Sequence, residues 1–211
     1  MAAVSLALGL IALVELTGEI SPDDSIPVLD RRIASAVVDL RSEPLTDVVR
    51  AVTTLAHTEV IIIVAIVAVT GAYLRDGVSL PLAVLGSIVA TAAVVLTMKG
   101  VIGRERPLPP ISLNAMSSAS YPSGHSAHAV GSWGALIWMS ATGRSARAKS
   151  VGALVAVSVA VSVGLSRVYL GVHWLSDVIA GWAVGGVCLS VAVLTRSIVR
   201  SRQATDGSHA R

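Results

Sequence analysis

The sequence predicts an all-α protein: a bundle of six transmembrane helices, with two short amphipathic helices at the membrane interface between the first and the second. Composition supports this class, because the 211 residues are 54% hydrophobic and only 14% charged, with a mean hydropathy of +0.76. Segment length supports it too, since several apolar stretches approach the roughly 20 residues that a helix needs to cross a bilayer. The third support is that basic residues gather in particular loops.

Six apolar segments are candidate spans. Five of them lie at about 55–74, 77–98, 125–143, 150–166 and 177–196. The sixth, at about 2–17, is shorter and contains Glu15. A signal peptide is the alternative there, but the segment lacks a basic start and an A-x-A-type cleavage site, so we favour a spanning helix.

Two amphipathic helices are predicted between the first two spans, interrupted before Pro44. Apolar residues recur there at spacings of three and four, with charged residues between them. They are Ile33, Ala36, Val37 and Leu40, followed by Leu45, Val48, Val49 and Val52. Two roles stay open for these helices: a lipid entrance, or a cap on the bundle.

Loop charge predicts the orientation. Loop 144–149 holds Arg144, Arg147 and Lys149 without an acid, and the tail after 195 is also basic, so both are expected in the cytoplasm. Six crossings then leave both termini inside and place 99–124 and 167–176 together on the outer face. We expect one membrane domain over 1–200 and a disordered cytoplasmic tail over 201–211.

Several function classes and partners are disfavoured. The net charge of +3 is spread over loops without interleaved aromatics, which is unlike a nucleic-acid-binding surface. A single cysteine, Cys188, excludes an internal disulfide and is expected to pack as a small hydrophobe. The oligomeric state stays open.

Three polar fragments stand at the edges of the apolar segments, where charge is expensive unless it has a task or a partner. They are KGVIGRERP (99–107), YPSGH (121–125) and SRVYLGVHWLSD (166–177). Lys99, Arg106 and Arg167 supply three cations that can hold an anion with several oxygens. Cleavage of a phosphate ester would use these cations together with nearby histidines. Arg104 is expected to be a snorkelling anchor, paired with Glu105.

His173 and Asp177 lie four residues apart, which stacks them on one helix face. The carboxylate can then hold one ring nitrogen and leave the other as a nucleophile. Pro122 to His125 form a turn that opens a helix, where Ser123 can act as the cap. The backbone N–H groups of Ser123 and Gly124 can face an anion there, with His125 beside it.

The pattern K-x6-RP, PSGH and SR-x5-H-x3-D resembles the three-part motif of the type 2 phosphatidic acid phosphatase family, which shares its superfamily with the vanadium haloperoxidases. The resemblance implies a six-helix membrane bundle and hydrolysis of a lipid phosphate without a cofactor or metal. It implies that His173 attacks phosphorus, that Asp177 orients its ring and that His125 protonates the leaving oxygen. The phosphate-binding residues would be Lys99, Arg106, Arg167, Ser123 and Gly124.

The expected substrate is a lipid phosphate or pyrophosphate at the outer face of the cell membrane. Candidates are a polyprenyl pyrophosphate, which the outward topology favours, phosphatidic acid and phosphatidylglycerophosphate. Transfer of the phosphoryl group to an alcohol acceptor is the nearest alternative. Less favoured are a transporter of a phosphorylated solute, a soluble haloperoxidase, and a metal site that includes His128, which we expect to be a packed or interfacial histidine.

Overall fold

All the regular structure in the computed structural model is helical, as the sequence predicts. The structure describes residues 2–20, 25–76, 78–114 and 116–209, and this part of the chain contains no strand. In chain order the helices are α1 (Ala2–Gly18), α2 (Ser25–Val38), α3 (Glu43–Thr53), α4 (Thr58–Asp76), α5 (Ser79–Ile102), α6 (Gly124–Ala141), α7 (Ala146–Tyr169) and α8 (Leu175–His209), with a 3-10 turn at Thr54–Ala56.

Helices α2 and α3 correspond to the two predicted amphipathic helices. Because α3 begins at Glu43, Pro44 lies in its first turn, where the missing N–H removes no helical hydrogen bond. Between the two helices, Arg41 donates from Nη2 to the carbonyl oxygens of Ile111 at 2.6 Å and Tyr169 at 2.8 Å. This side chain therefore fixes the α2–α3 turn against the end of α7 and the loop before α6.

Each predicted apolar segment overlaps one long helix, but only some helices meet the requirements of length and hydropathy for a span. Within the described residues these are Ser79–Ile102, Ala146–Tyr169 and Leu175–Gln203. Glu43–Ala56 and Thr58–Leu74, bent by 49° where they meet, make a fourth if they count as one span. Helix α1 is apolar but shorter, and α6 is not among the helices that meet the requirements, so the number of six crossings stays a prediction.

The last helix extends past the predicted end of its span. Residues 197–209 continue α8, and residues 210–211 lie outside the described part of the chain. The division into a domain over 1–200 and a disordered tail over 201–211 stays a prediction.

Rows of apolar side chains cover the outside of the long helices. Examples are Val67 on α4, Leu96 on α5 and Leu154 on α7, which are 71%, 70% and 68% exposed. Scattered exposed apolar residues are ordinary on soluble proteins, but continuous apolar surfaces indicate contact with another apolar phase. The exposed rows agree with a multi-pass membrane protein.

Helix α6 lies at the centre of the bundle, packed against α5, α7 and α8. Small residues allow its backbone to approach α8 closely. A Cβ on Gly185 of α8 would lie 2.7 Å from the backbone nitrogen of Gly131 and would overlap the carbonyl oxygen of Ala127. One turn earlier, a Cβ on Gly181 would lie 2.5 Å from the carbonyl oxygen of Ser123. This contact sets the first turn of α6 directly against α8.

Gly185→Ala is expected to destabilise the protein by about 1–3 kcal/mol, because the added methyl group meets backbone that cannot move aside cheaply. Gly186→Ala is the matched control, since no heavy atom lies within 4 Å of the Cβ it would add. Unfolding of the two variants in the same detergent provides the measurement. Equal stability of both would contradict the close α6–α8 contact.

Candidate active site

The three polar fragments meet at one end of the bundle. Lys99 is in the last turn of α5, Arg106 follows α5 in the loop, and Arg167 is in the last turn of α7. His125 is in the first turn of α6, and Asp177 is in the first turn of α8. The backbone N–H of Ser123 donates to the carbonyl oxygen of Asp177 at 2.9 Å and holds the two helix starts together.

The ring of His173 is held between a carboxylate and a guanidinium. Its Nδ1 lies 3.4 Å from Oδ2 of Asp177, and its Nε2 lies 3.1 Å from Nη1 of Arg106. A guanidinium can only donate, so Nε2 is the acceptor and Nδ1 carries the proton. This tautomer leaves a lone pair on Nε2, on the side where Arg106 lies.

His173 lies in the loop between α7 and α8 and is 3% exposed. Burial lowers the pKa of His173 from 6.5 to about 4; Arg106 and Arg167 add to the shift, while Asp177 opposes it. Above that pH the imidazole is neutral, which is the form that can act as a nucleophile.

The guanidinium of Arg106 is fixed by backbone carbonyls. Its Nε donates to Ser118 at 2.7 Å, Nη1 donates to Val172 at 2.5 Å, and Nη2 donates to Ala119 at 3.2 Å. Carbonyl oxygens are neutral acceptors, so the positive charge is oriented without being neutralised. Burial lowers the pKa of Arg106, and Asp177 opposes that shift.

Lys99 completes the same side of the site. Its Nζ donates to the carbonyl oxygens of Ala119 and Ser120. It lies within electrostatic range of Arg106, Arg167 and Asp177. Two of the three predicted cations are therefore held by one short stretch of loop, 118–120.

Arg167 is a buried cation with incomplete hydrogen bonding. It is 5% exposed, and its Nη1 donates to Oγ1 of Thr53 at 2.9 Å. Its Nε has no partner among the described residues. A buried donor without an acceptor is costly, so an anion bound here would gain a ready contact. Thr53, at the end of α3, was not a predicted site residue.

His125 is close to the same charges. It lies within electrostatic range of Arg167 and His173. Its Nε2 is buried and has no hydrogen-bond partner in the described part of the chain. The exposed ring of His57, just before α4, stacks edge-on against it with ring centroids 5.5 Å apart.

The start of α6 agrees with the prediction in part. Ser123 is the N-cap, and its Oγ accepts a hydrogen bond from the N–H of Ser126 at 3.4 Å. Its own N–H is already bonded to Asp177, so the expectation that this N–H faces an anion is wrong. The N–H of Gly124 belongs to the first helical turn, where no intrahelical acceptor exists.

Arg104 has a different place from the one predicted. Instead of a surface anchor paired with Glu105, it is a largely buried side chain that donates from Nη1 to Asp177 at 2.6 Å and from Nη2 to Asp30 at 2.8 Å. The ion pairs form because the loop after α5 folds inward toward α2 and α8. Ser120 was also missed, and its Oγ donates to Oδ2 of Asp177. Nothing in the local pattern distinguishes these residues from ordinary loop residues.

His128 has a partner within its own helix, since its Nδ1 lies 2.8 Å from Oγ of Ser132. This contact agrees with a packed histidine. Across the described ranges, no three His, Cys, Asp or Glu side chains form a group that could hold a metal ion.

Two solved structures have similar folds. A crystal structure of a transmembrane PAP2-type phosphatidylglycerolphosphate phosphatase from Bacillus subtilis matches with a TM-score of 0.86 and 24% identity, covering 92% of this chain and 97% of that one. LpxE from Aquifex aeolicus matches with a TM-score of 0.62 and 21% identity, covering 82% and 98%. At these identities the likeness concerns the fold.

Sequence comparison gives the family. Phosphatidylglycerophosphatase B of Bacillus subtilis (strain 168) is 38% identical over 71 residues, which are 33% of this chain and 35% of that protein. The chain thus matches about a third of the length of that relative. The family model of the PAP2 superfamily matches residues 80–200, which include all three motifs. The chain belongs to the PAP2 superfamily, as the motifs indicate.

Proposed function

We propose that this protein is an integral membrane lipid phosphatase that hydrolyses a lipid phosphate or pyrophosphate monoester through a phosphohistidine intermediate. The observation that carries the proposal is the hydrogen bonding of His173. Its Nδ1 is oriented by Asp177, and its Nε2 lone pair lies beside Arg106, within electrostatic range of other cations. An unprotonated ring nitrogen next to a site for phosphoryl oxygens is the arrangement that in-line attack on phosphorus requires.

In the first step, Nη1 of Arg106 exchanges Nε2 of His173 for a phosphoryl oxygen. The freed Nε2 lone pair forms a bond to phosphorus, and the bond from phosphorus to the leaving oxygen breaks; that oxygen is the lipid oxygen of a monoester or the bridging oxygen of a pyrophosphate. His125 gives a proton to that oxygen, and a bound phosphate dianion favours the protonated form of a nearby imidazole. In the second step, His125 takes a proton from water as the water oxygen bonds to phosphorus, and the bond between phosphorus and Nε2 of His173 breaks, which returns the electron pair to the imidazole. The products are the lipid alcohol, or the lipid monophosphate from a pyrophosphate, and inorganic phosphate.

Three fixed cations supply the charge stabilisation. Lys99, Arg106 and Arg167 are proposed to bind the phosphoryl oxygens, with the N–H of Gly124 and the hydroxyl of Ser123 completing the site. Transition-state stabilisation in phosphoryl transfer is mainly electrostatic, and three positive side chains can take the role that magnesium has in other phosphatases. We therefore propose a metal-independent reaction.

The fold supports a lipid substrate, because the site lies at the ends of long apolar helices. We propose six crossings formed by α1 and α4 to α8, with both termini in the cytoplasm and the site on the outer face of the cell membrane. The basic α6–α7 loop and the basic tail support this orientation. We also propose a single membrane domain over 1–200, followed by a cytoplasmic tail. The curated relative is named for phosphatidylglycerophosphate, which is the first substrate to test, ahead of polyprenyl pyrophosphate and phosphatidic acid.

Replacing the nucleophile tests the proposal directly. His173→Ala is expected to reduce phosphate release from these lipids by at least about 10³-fold, because the covalent route is lost. The assay uses purified protein in chelator, and His128→Ala is the matched control with near-normal turnover. Acid-labile labelling of wild type from a radiolabelled lipid phosphate should disappear in His173→Ala. Near-normal turnover of that variant would overturn the nucleophile assignment.

An alcohol acceptor added to the same assay separates hydrolysis from phosphotransfer. Hydrolysis predicts inorganic phosphate as the main product at low acceptor concentration. A phosphorylated acceptor formed in place of phosphate would instead support a transferase.

His125→Ala is expected to affect substrates according to their leaving group. With lipid alkoxide leaving groups, which need a proton, turnover should fall by about 10²–10⁴-fold. An activated aryl phosphate leaves as a stable phenolate, so its turnover should fall far less. Steady-state rates on both substrates provide the measurement, and equal losses would remove the general-acid role.

A further inference from the structure

A buried arginine at one of the unspecified positions of the first motif, Arg104, connects the His173–Asp177 pair to α2. Nη1 of Arg104 donates to Oδ1 of Asp177 at 2.6 Å, and Nη2 donates to Oδ2 of Asp30 at 2.8 Å. The side chain of Arg104 is 10% exposed, while those of Asp30 and Asp177 are 4% and 0% exposed. Three charges buried together cost free energy even when they are paired. This cost suggests that Arg104 and Asp30 have a role in the site.

Arg104 holds Asp177 by two routes. The direct route is the ion pair to Oδ1. In the indirect route, the carbonyl oxygen of Arg104 accepts the N–H of Ser120 at 2.7 Å, and Oγ of Ser120 donates to Oδ2 of Asp177. The left-handed Gly103, with φ of +63°, ends α5 and turns the chain so that both routes start from one residue. The carboxylate therefore has a fixed orientation toward His173.

Asp30 shares the same guanidinium. Its Oδ1 accepts the backbone N–H of Ser176 at 3.0 Å, so the residue preceding Asp177 is tied to α2. Since Arg104 bonds two carboxylates, its charge offsets that of Asp177 less than it would in an isolated pair. Asp177 thus keeps negative charge to act on the imidazole.

We propose that Arg104 and Asp30 are positioning residues for the His173–Asp177 pair. Arg104 fixes the carboxylate that orients the ring, and Asp30 offsets enough of the guanidinium charge for Asp177 to stabilise His173 as it gains positive charge. This inference rests on the proposed function, in which His173 becomes phosphorylated. The Nη atoms of Arg104 are bonded to Asp177, Ser176 and Asp30, so its role is exerted through Asp177 and not through the phosphate.

The two residues should move the pKa of His173 in opposite directions. The charged and titratable groups facing His173 are Arg106 from the loop after α5, His125 from α6, Arg167 from α7 and Asp177 from α8. Arg104→Gln removes a positive charge behind Asp177, which favours the imidazolium and raises the pKa of His173. Asp30→Asn removes a negative charge, which lowers the pKa of His173. A purely structural defect would not give opposite signs.

The experiment uses full-length protein in lipid nanodiscs with ring-labelled histidine. The titration of His173 is followed by NMR and assigned by comparison with His173→Gln. Steady-state kinetics of the same samples on a lipid phosphate should show kcat reduced by about 10- to 100-fold in both variants, because the nucleophile is kept but its orientation is lost. The Michaelis constant should stay near its original value. Arg104→Lys, which keeps the charge, should recover part of kcat and titrate near wild type.

Two further variants act as controls. Arg32→Gln and Asp39→Asn change exposed charges on and just after α2, and they should leave both kcat and the titration of His173 unchanged.

The double variant Arg104→Gln, Asp30→Asn removes both charges and should bring the pKa of His173 back toward its original value. If Arg104→Gln fails to fold, the near-isosteric Asp30→Asn tests the positioning role by itself, because the proposal requires that it lower the pKa of His173.

Shifts of the same sign, no shift, or a raised Michaelis constant with unchanged kcat would overturn the positioning role. The labelling of wild type separates this failure from failure of the proposed function. If wild type forms no phosphohistidine, the proposed mechanism is wrong. If wild type is labelled but Arg104→Gln and Asp30→Asn titrate and react like wild type, only the positioning role is wrong.

Discussion

The rest of the site depends on the hydrogen bonds and ion pair that the buried carboxylate of Asp177 forms. Its oxygens accept hydrogen bonds from Arg104, from Ser120 and from the N–H of Trp174, while its own carbonyl oxygen accepts the N–H of Ser123. Removing one partner from a buried ion pair typically costs about 3–5 kcal/mol. The carboxylate partners come from the loop after α5 and from the residue just before α8. The backbone carbonyl of the same residue binds the start of α6, so Asp177 brings three separate segments together.

The bundle makes this convergence possible by keeping its central helices close. Small residues on α6 and α8 let the two backbones touch, with Gly181 against Ser123 and Gly185 against Ala127. The two helix starts then lie side by side at one end, where His125 and Asp177 reach the same region. Apolar packing over the remaining length holds that end in place, so the polar residues need not stabilise the fold by themselves.

The sequence predicted the parts that depend on local pattern and missed those that depend on distant partners. Apolar length located the helices, and motif spacing located the cations and histidines that the structure brings together. Arg104 was assigned wrongly because its partner Asp30 lies 74 residues away, where it is the one acid of an amphipathic helix and looks like an ordinary exposed charge. Thr53 was missed for the same reason, since only tertiary packing places it against Arg167. Whether a backbone N–H is free, as at Ser123, also depends on a contact that spacing cannot show.

The carbonyl oxygens of loop 118–120 have a consequence for selectivity. They occupy donors of Lys99 and Arg106, which are the groups proposed to bind an anion. Binding of an anion at the proposed site is therefore an exchange, in which the anion must bind these donors better than the uncharged peptide oxygens do. Because these donors are cationic, an anion adds attraction between opposite charges that uncharged peptide oxygens cannot supply, and a dianion gains more of it than an uncharged oxygen compound does. The occupied donors of Lys99 and Arg106 would therefore make the proposed site select for charge on a ligand rather than for its shape.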